Sequence, residues 1–191
     1  MSDASGLAVG DTAPEFVAPL VRPGGGTEQT RLSTLLDEAP VLLCFYTNDF
    51  TPDCTGEWCE FRDYDWFDDA EGNVQIVGAS KSRPLTHKTF MSTFGLDFPL
   101  ISDPELDLAE AFDVKYRTFK LFPRSKRSCF LIDRDRTVRY KWVGEHPLDP
   151  TMDTPPVEEV YRAVRQELED AELQPRPAEE REGFGDDDWS F

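Results

Sequence analysis

Two cysteines five positions apart, Cys54 and Cys59, are the side chains of this sequence best suited to carry out chemistry. Cys54 comes soon after the apolar run Val41 to Tyr46, which predicts a buried strand, and it stands at the start of a predicted helix. Unpaired backbone N–H groups and the helix dipole favour a thiolate at such a position. Because the thiolate is the nucleophilic form of cysteine, the pattern predicts a nucleophile at Cys54.

Two neighbours of Cys54 bear on this prediction in opposite ways. Thr51 lies three residues earlier, where its hydroxyl can sit beside the sulfur, accept one hydrogen bond and donate another to a bound oxygen atom. Asp53 is adjacent in sequence, and a neighbouring carboxylate disfavours a thiolate. A cation from elsewhere in the chain is therefore expected to offset Asp53.

The spacing of Cys54 and Cys59 carries a geometric consequence. In an intact helix, residues five apart are separated by ~9 Å and point ~140° away from each other. A disulfide needs Cα atoms within ~7 Å. If these two cysteines form a disulfide, the helix must first unwind in part.

Short apolar runs alternate along the chain with longer segments of helical period. The apolar runs predict strands at Val41 to Tyr46, Val74 to Ala79, Cys129 to Ile132 and Thr137 to Val143. The periodic segments predict helices at Pro52 to Phe67, Leu85 to Phe94, Pro104 to Phe112 and Pro156 to Ala171. Strands that alternate with helices indicate an α/β layer architecture.

Length and composition predict one domain followed by a tail. With 191 residues, of which 39% are hydrophobic, the chain has material for one buried core. Residues 175–191 combine proline, glycine and acidic residues without an apolar period, which predicts a flexible acidic tail after a domain of residues 1–174. The polar N-terminal residues do not resemble a secretory leader, which favours a cytoplasmic protein.

The charge balance is strongly acidic. Asp and Glu outnumber Lys and Arg by 38 to 20, which gives a formal net charge of −18. Nucleic acid and anionic membranes are therefore poor partners. Because 1 M salt screens the repulsion among carboxylates over ~3 Å, the composition favours a halophilic protein of a salt-rich cytoplasm over an ordinary acidic protein.

The residues around Cys54 resemble a known signature. Thr51 to Asp63 reads T-P-x-C-T-x-E-x-C-x-F-R-D, which is similar to the active-site signature of atypical two-cysteine peroxiredoxins of the bacterioferritin comigratory protein subfamily. Three further segments resemble the family's opening, its mid-chain segment and its arginine-bearing strand: Val9 to Phe16, Phe98 to Asp103 and Arg127 to Asp133. The resemblance spans roughly residues 8–172 and implies a thioredoxin-like fold with a mixed central sheet flanked by helices.

The resemblance also implies a role for each residue of the candidate site. Cys54 would be the peroxidatic cysteine that becomes a sulfenic acid, and Cys59 the resolving cysteine that attacks this sulfur to form a disulfide. Thr51 would orient the peroxide, and Arg127 would stabilise the thiolate and the departing oxygen. Glu57 would hold that arginine through a carboxylate–guanidinium pair.

The enzyme implied in this way reduces hydrogen peroxide or organic hydroperoxides. A thioredoxin-like or other thiol donor would recycle it, with no cofactor and no metal, and we expect a monomer or a weak dimer. The sequence departs from the family at Thr47, where proline is usual and shields the sulfur from solvent.

The remaining cysteines and the histidines have simpler interpretations. Cys44 and Cys129 lie in predicted strands, which favours packed core thiols. His87 and His146 stand in separate segments without C-x-x-C or H-x-x-x-H spacing, which argues against a zinc site.

Two other functions compete with the peroxidase. A thioredoxin-like disulfide reductase has two residues between its cysteines, whereas four separate Cys54 from Cys59. A peroxide-sensing redox switch would use the same disulfide to signal to a bound partner. Repeated consumption of peroxide with a thiol reductant distinguishes the enzyme from such a sensor, which is oxidised once.

Overall fold

The computed structural model of the chain describes residues 6–63, 74–118, 121–145, 149 and 153–168. Its strands are β1 (Val17–Val21), β2 (Thr27–Arg31), β3 (Val41–Phe45), β4 (Gln75–Ser80), β5 (Leu100–Ser102), β6 (Lys115–Thr118), β7 (Phe122–Ser125), β8 (Ser128–Ile132) and β9 (Val138–Val143). Its helices are α1 (Leu32–Glu38), α2 (Pro52–Asp63), α3 (Pro84–Phe94), α4 (Asp107–Ala111) and α5 (Val157–Leu168). The predicted tail of residues 175–191 lies outside the described residues.

A mixed sheet of seven strands, in the order β2-β1-β5-β4-β3-β8-β9, forms the centre of this structure. β3, β4 and β5 run parallel to one another, and the other neighbours pair antiparallel. β6 and β7 form a separate two-stranded sheet. β3 lies inside the main sheet with all its residues buried, as expected of a continuous apolar run.

Helices cover both faces of the sheet. Side chains along β3 alternate between the two faces and so pack in two separate core clusters. Val41, Leu43 and Phe45 pack in a core cluster that includes residues of α1 and α4. Leu42 and Cys44 pack in a second cluster that includes residues of α2, α3 and α5. The helix that carries Cys54 therefore lies on the second face, and the predicted fold class is confirmed.

The predicted elements differ from the observed ones mainly at their ends. Each of the four predicted strands is present, with its ends shifted by no more than one residue. The helix predicted to start at Pro104 begins at Asp107 instead. Leu106 is left-handed (φ 61°), and the Asp103 carboxylate accepts hydrogen bonds from the Leu108 and Ala109 N–H groups at 3.1 and 2.9 Å. The proline thus stands in the turn that caps α4.

Several elements gave no recognisable pattern in the sequence. β2 (TEQTR) is an edge strand with a single buried residue, Thr30, so it has no apolar alternation. Residues 22–26, which include three consecutive glycines, connect β1 to β2. The end of the helix predicted to reach Phe67 lies outside the described residues.

Candidate active site

Cys54 lies in the first turn of α2, as its third residue. The loop of residues 46–51 leads from the end of β3 to this helix, and the Thr55 N–H donates to the Thr51 carbonyl at 2.9 Å to close the first turn. Cys54 is fully buried, in the same core cluster as Tyr46 and Trp58. Cys54 is thus held in the core at the start of α2, directly after the loop that follows β3.

Arg127 is the cation that meets Cys54. Its Nη2 donates a hydrogen bond to the Cys54 sulfur at 3.3 Å, and its Nη1 donates to the Glu57 carboxylate. Arg127 directly precedes β8, which pairs with β3 so that Phe45 faces Ser128. This antiparallel register brings the start of β8 beside the end of β3, and so joins residues that are 73 positions apart in sequence.

Glu57 lies one turn after Cys54 on α2 and is buried, with 3% of its surface exposed. Burial raises the pKa of Glu57 to about 7, even though the charge and hydrogen bond of Arg127 act to lower it. Among the described residues, Oε1 of Glu57 has no hydrogen-bond partner. The guanidinium of Arg127 is therefore placed between a buried carboxyl group and the thiol.

Thr51 is half-buried, and its hydroxyl donates to the Asn48 carbonyl at 3.3 Å. This bond uses the hydroxyl proton, so in this geometry Thr51 does not donate to a bound oxygen atom as the sequence predicted, and its oxygen lone pairs remain available as acceptors. Thr47, at the position where the resemblance expects proline, is buried with 6% exposed. The side chain of Asp53 lies outside what the structure describes.

Cys59 is on the same helix as Cys54 and is partly exposed. Both cysteines are free thiols. Because α2 is helical across both positions, their separation is that of residues five apart in a helix, about 9 Å between Cα atoms. The structure brings Cys54, Glu57 and Arg127 together, with Thr51 directly before the first residue of α2, and keeps Cys59 out of bonding range of Cys54.

Cys44 and Cys129 face each other across β3 and β8 and are fully buried. Burial and the neighbouring Cys44 thiol raise the pKa of Cys129 well above its usual range. Both are core thiols, as predicted. Within the described ranges, no group of three or more His, Cys, Asp or Glu residues is arranged to hold a metal ion, and His146 lies outside those ranges.

A buried polar cluster behind the Cys54 loop was not predicted from the sequence. It consists of Tyr46, Asp49 and His87, and a contact joins Asp49 to His87 across 38 positions. Polar residues that follow directly on a buried strand were the one available signal. No local spacing connects them to a histidine on α3.

Comparison with known proteins places this geometry in a family. Residues 9–141 match the AhpC/TSA family. The chain belongs to the AhpC/TSA family. Peroxiredoxin Bcp of Bacillus subtilis is 36% identical over 140 residues, which cover 71% of this chain and 85% of that protein.

Two solved structures also resemble this AhpC/TSA protein. Peroxidoxin BcpB from Mycobacterium tuberculosis has a TM-score of 0.69 and 30% identity over 84% of this chain and 97% of that one. The Xanthomonas campestris bacterioferritin comigratory protein, solved to explain its alkyl peroxide reduction activity, has a TM-score of 0.65 and 25% identity over 80% and 91% of the two chains.

Membership of the AhpC/TSA family confirms the predicted enzyme class, a thiol-dependent peroxidase that uses a peroxide substrate and a thiol reductant. The relatives carry enzyme names, so the comparisons do not favour the peroxide-sensing switch. Among the described residues, no helix is long and apolar enough to span a membrane.

Proposed function

We propose that the chain reduces hydroperoxides through a sulfenic acid on Cys54, which Cys59 converts to an intramolecular disulfide. The hydrogen bond from Arg127 to the Cys54 sulfur, at 3.3 Å, is the observation that carries the proposal. A guanidinium donor forms a charge-assisted hydrogen bond with a thiolate and so favours the nucleophilic form. Glu57 binds the other side of the guanidinium and keeps it in place.

In the first step, the Cys54 thiolate attacks one oxygen of the hydroperoxide. An S–O bond forms while the O–O bond breaks, and the departing alkoxide or hydroxide takes a proton from water to give an alcohol or water. Arg127 stabilises the negative charge on the departing oxygen. Thr51 accepts the hydrogen bond of the hydroperoxide O–H, because its own proton points to the Asn48 carbonyl.

In the second step, Cys59 loses its proton and its thiolate attacks the Cys54 sulfur, so that the S–S bond forms while the S–O bond breaks. The departing hydroxide takes up the proton released by Cys59 and leaves as water. Because the two Cα atoms are about 9 Å apart in α2, the first turns of the helix must unwind. A thioredoxin-like dithiol then reduces the disulfide and is itself oxidised. Cys59 is partly exposed, which suits attack by an external dithiol.

Hydrogen peroxide and organic hydroperoxides are both proposed as substrates. Phe50, next to Thr51, is 45% exposed and packs against Phe90 and Phe94 on α3. This apolar surface beside the site suits the alkyl group of an organic hydroperoxide. The alkyl peroxide reduction activity of the related Xanthomonas campestris protein supports the same substrate class.

The setting is proposed from the charge of the chain. A net charge of −18 favours a halophilic enzyme of a salt-rich cytoplasm, acting as a monomer or weak dimer without nucleic acid or membrane partners. Raising the KCl concentration should then raise both the activity and the unfolding temperature. If both fell with added KCl, this setting would be wrong.

The catalytic roles are tested by following peroxide consumption at high salt with wild type, Cys54→Ser and Cys59→Ser. Cys54→Ser should be inactive, and Cys59→Ser should be oxidised once and fail to recycle through the disulfide. Peptide mapping of peroxide-treated wild type should find the Cys54–Cys59 disulfide. Full turnover by Cys54→Ser would overturn the proposal, and absence of the disulfide would overturn the role of Cys59.

A further inference from the structure

We propose that Tyr46, Asp49 and His87, here called the Asp49 clamp, position the Cys54 loop and hold α2 folded during attack on peroxide. The inference rests on the proposed function and adds positioning residues to it. All three side chains are buried. They would stabilise the loop and α2 in the arrangement in which Arg127 donates a hydrogen bond to Cys54.

The Asp49 carboxylate is the centre of the clamp. Its Oδ1 accepts a hydrogen bond from the Tyr46 hydroxyl at 2.6 Å. The His87 Nδ1 lies 2.9 Å from Oδ2 and 3.2 Å from Oδ1, and its hydrogen-bond alignment is towards Oδ1. Both partners therefore converge on one oxygen of a carboxylate in the loop of residues 46–51.

His87 links the clamp to the sheet. Nε2 lies 3.1 Å from the Ile101 carbonyl, which can only accept, so Nε2 carries the hydrogen of this bond. Nδ1 lies within hydrogen-bonding distance of Asp49 and also 3.4 Å from the Tyr46 hydroxyl. The three buried side chains therefore contact one another, and they tie the loop to α3 and, through Ile101, to β5.

The clamp holds the loop directly before a residue with an unfavourable backbone conformation. Phe50, directly after Asp49, is left-handed (φ 59°), a conformation that costs free energy for a residue other than glycine. The Asp49 N–H donates to the Ser82 hydroxyl at 3.0 Å, and the Phe50 ring packs on Phe90 at 5.2 Å between centroids. Since His87 and Phe90 lie three residues apart on α3, the helix contacts two successive loop residues.

The clamp also reaches α2. The Tyr46 ring packs edge-on against Trp58, with 5.1 Å between centroids, and Trp58 directly precedes Cys59. Trp58 is fully buried. Unwinding of α2 through Cys59 must therefore disturb the Tyr46 contact, and a clamp that fixes Tyr46 stabilises the folded helix.

The two chemical steps make opposite demands on this clamp. Oxidation of Cys54 needs the loop and α2 in place beside Arg127, whereas disulfide formation needs α2 unwound. A weaker clamp should slow the first step and speed the second. Loss of one buried hydrogen bond predicts a change of roughly 10-fold in each rate constant.

Two substitutions of His87 separate its two hydrogen bonds. Asparagine places an amide nitrogen where Nδ1 lies, so His87→Asn can keep the bond to Asp49. Glutamine places one where Nε2 lies, so His87→Gln can keep only the bond to Ile101. Met91→Ala, also buried on α3 and outside the clamp, serves as a control for general loss of stability.

Transient kinetics measure the two steps separately. Sulfenic acid formation is followed by trapping in a Cys59→Ser background, and disulfide formation by quenching and mass spectrometry after one equivalent of peroxide. His87→Gln should slow the first about 10-fold and speed the second, while His87→Asn and Met91→Ala stay within about 3-fold of their parent proteins. Equal effects of the asparagine and glutamine variants, or both rates falling together in His87→Gln, would overturn the inference.

Hydrogen exchange of the reduced protein keeps this test separate from the proposed function. His87→Gln should speed amide exchange in α2, and His87→Asn should not. If peroxide did not oxidise wild-type Cys54, the proposed function would be wrong. The exchange rates in α2 would still show whether the clamp stabilises the helix. If exchange in α2 were the same in both variants, the clamp would be refuted whatever the activity.

Discussion

Glu57→Gln removes the titrating carboxyl group beside Arg127 while it keeps the length and shape of the side chain. The glutamine carbonyl can still accept a hydrogen bond from the guanidinium. What is lost is the charge that Glu57 acquires as pH rises. The substitution therefore isolates the free energy of ionising a buried carboxyl group beside Arg127.

The structure sets the sign and size of the effect. Burial raises the pKa of Glu57 from 4.5 to about 7, so between these values the folded protein binds a proton that the unfolded chain has released. Stability is therefore lost as pH rises through this window. At about 1.4 kcal/mol per pKa unit, the full loss is about 3 kcal/mol, most of it between about pH 5 and about pH 7.

The assay compares free energies of unfolding by urea at about pH 5 and about pH 8. Both proteins carry Cys54→Ser, so that oxidation of the thiol does not contribute to the comparison. The protein with Glu57 should lose about 2 to 3 kcal/mol more than the Glu57→Gln protein over this range. Glu105→Gln, at an exposed position, is the control and should change nothing. An equal pH dependence with and without Glu57 would refute the reasoning.

Three further predictions concern the packing and chemistry around the site. A Cβ at Gly78 would lie 2.6 Å from Leu100 and 2.7 Å from Trp58, so Gly78→Ala should destabilise the fold by about 1 to 3 kcal/mol in urea unfolding, whereas Gly56→Ala, with no atom within 4 Å, should not. Arg127→Lys keeps the charge but cannot bind Glu57 and Cys54 through one planar fork, so Cys54 oxidation should slow about 100-fold; an unchanged rate would show that charge alone suffices. Cys44 and Cys129 should resist an aromatic disulfide reagent until urea unfolds the protein, while Cys59 reacts in the native state; rapid labelling of all four thiols in the folded chain would contradict their burial.

The local sequence pattern was enough to predict the strands that pass through the core. β3 and β8 are continuous apolar runs, and their predicted ends differ from the observed ones by one residue. The edge strand β2 and the start of α4 were not predictable in this way. Thr30 alone is buried in β2, and the Asp103 cap moves the start of α4 to Asp107, three residues after the predicted start at Pro104.

By itself, the sequence placed Cys54 at the start of a helix and Cys59 five residues later on the same helix, since both are local facts. Arg127 could be named only through the resemblance, because its approach to Cys54 depends on the register between β3 and β8. The Asp49 contact with His87 was decided by tertiary structure alone. Hydrogen bonds between segments far apart in sequence depend on how strands and helices pack. The spacing of residues along the chain does not show which of them come into contact.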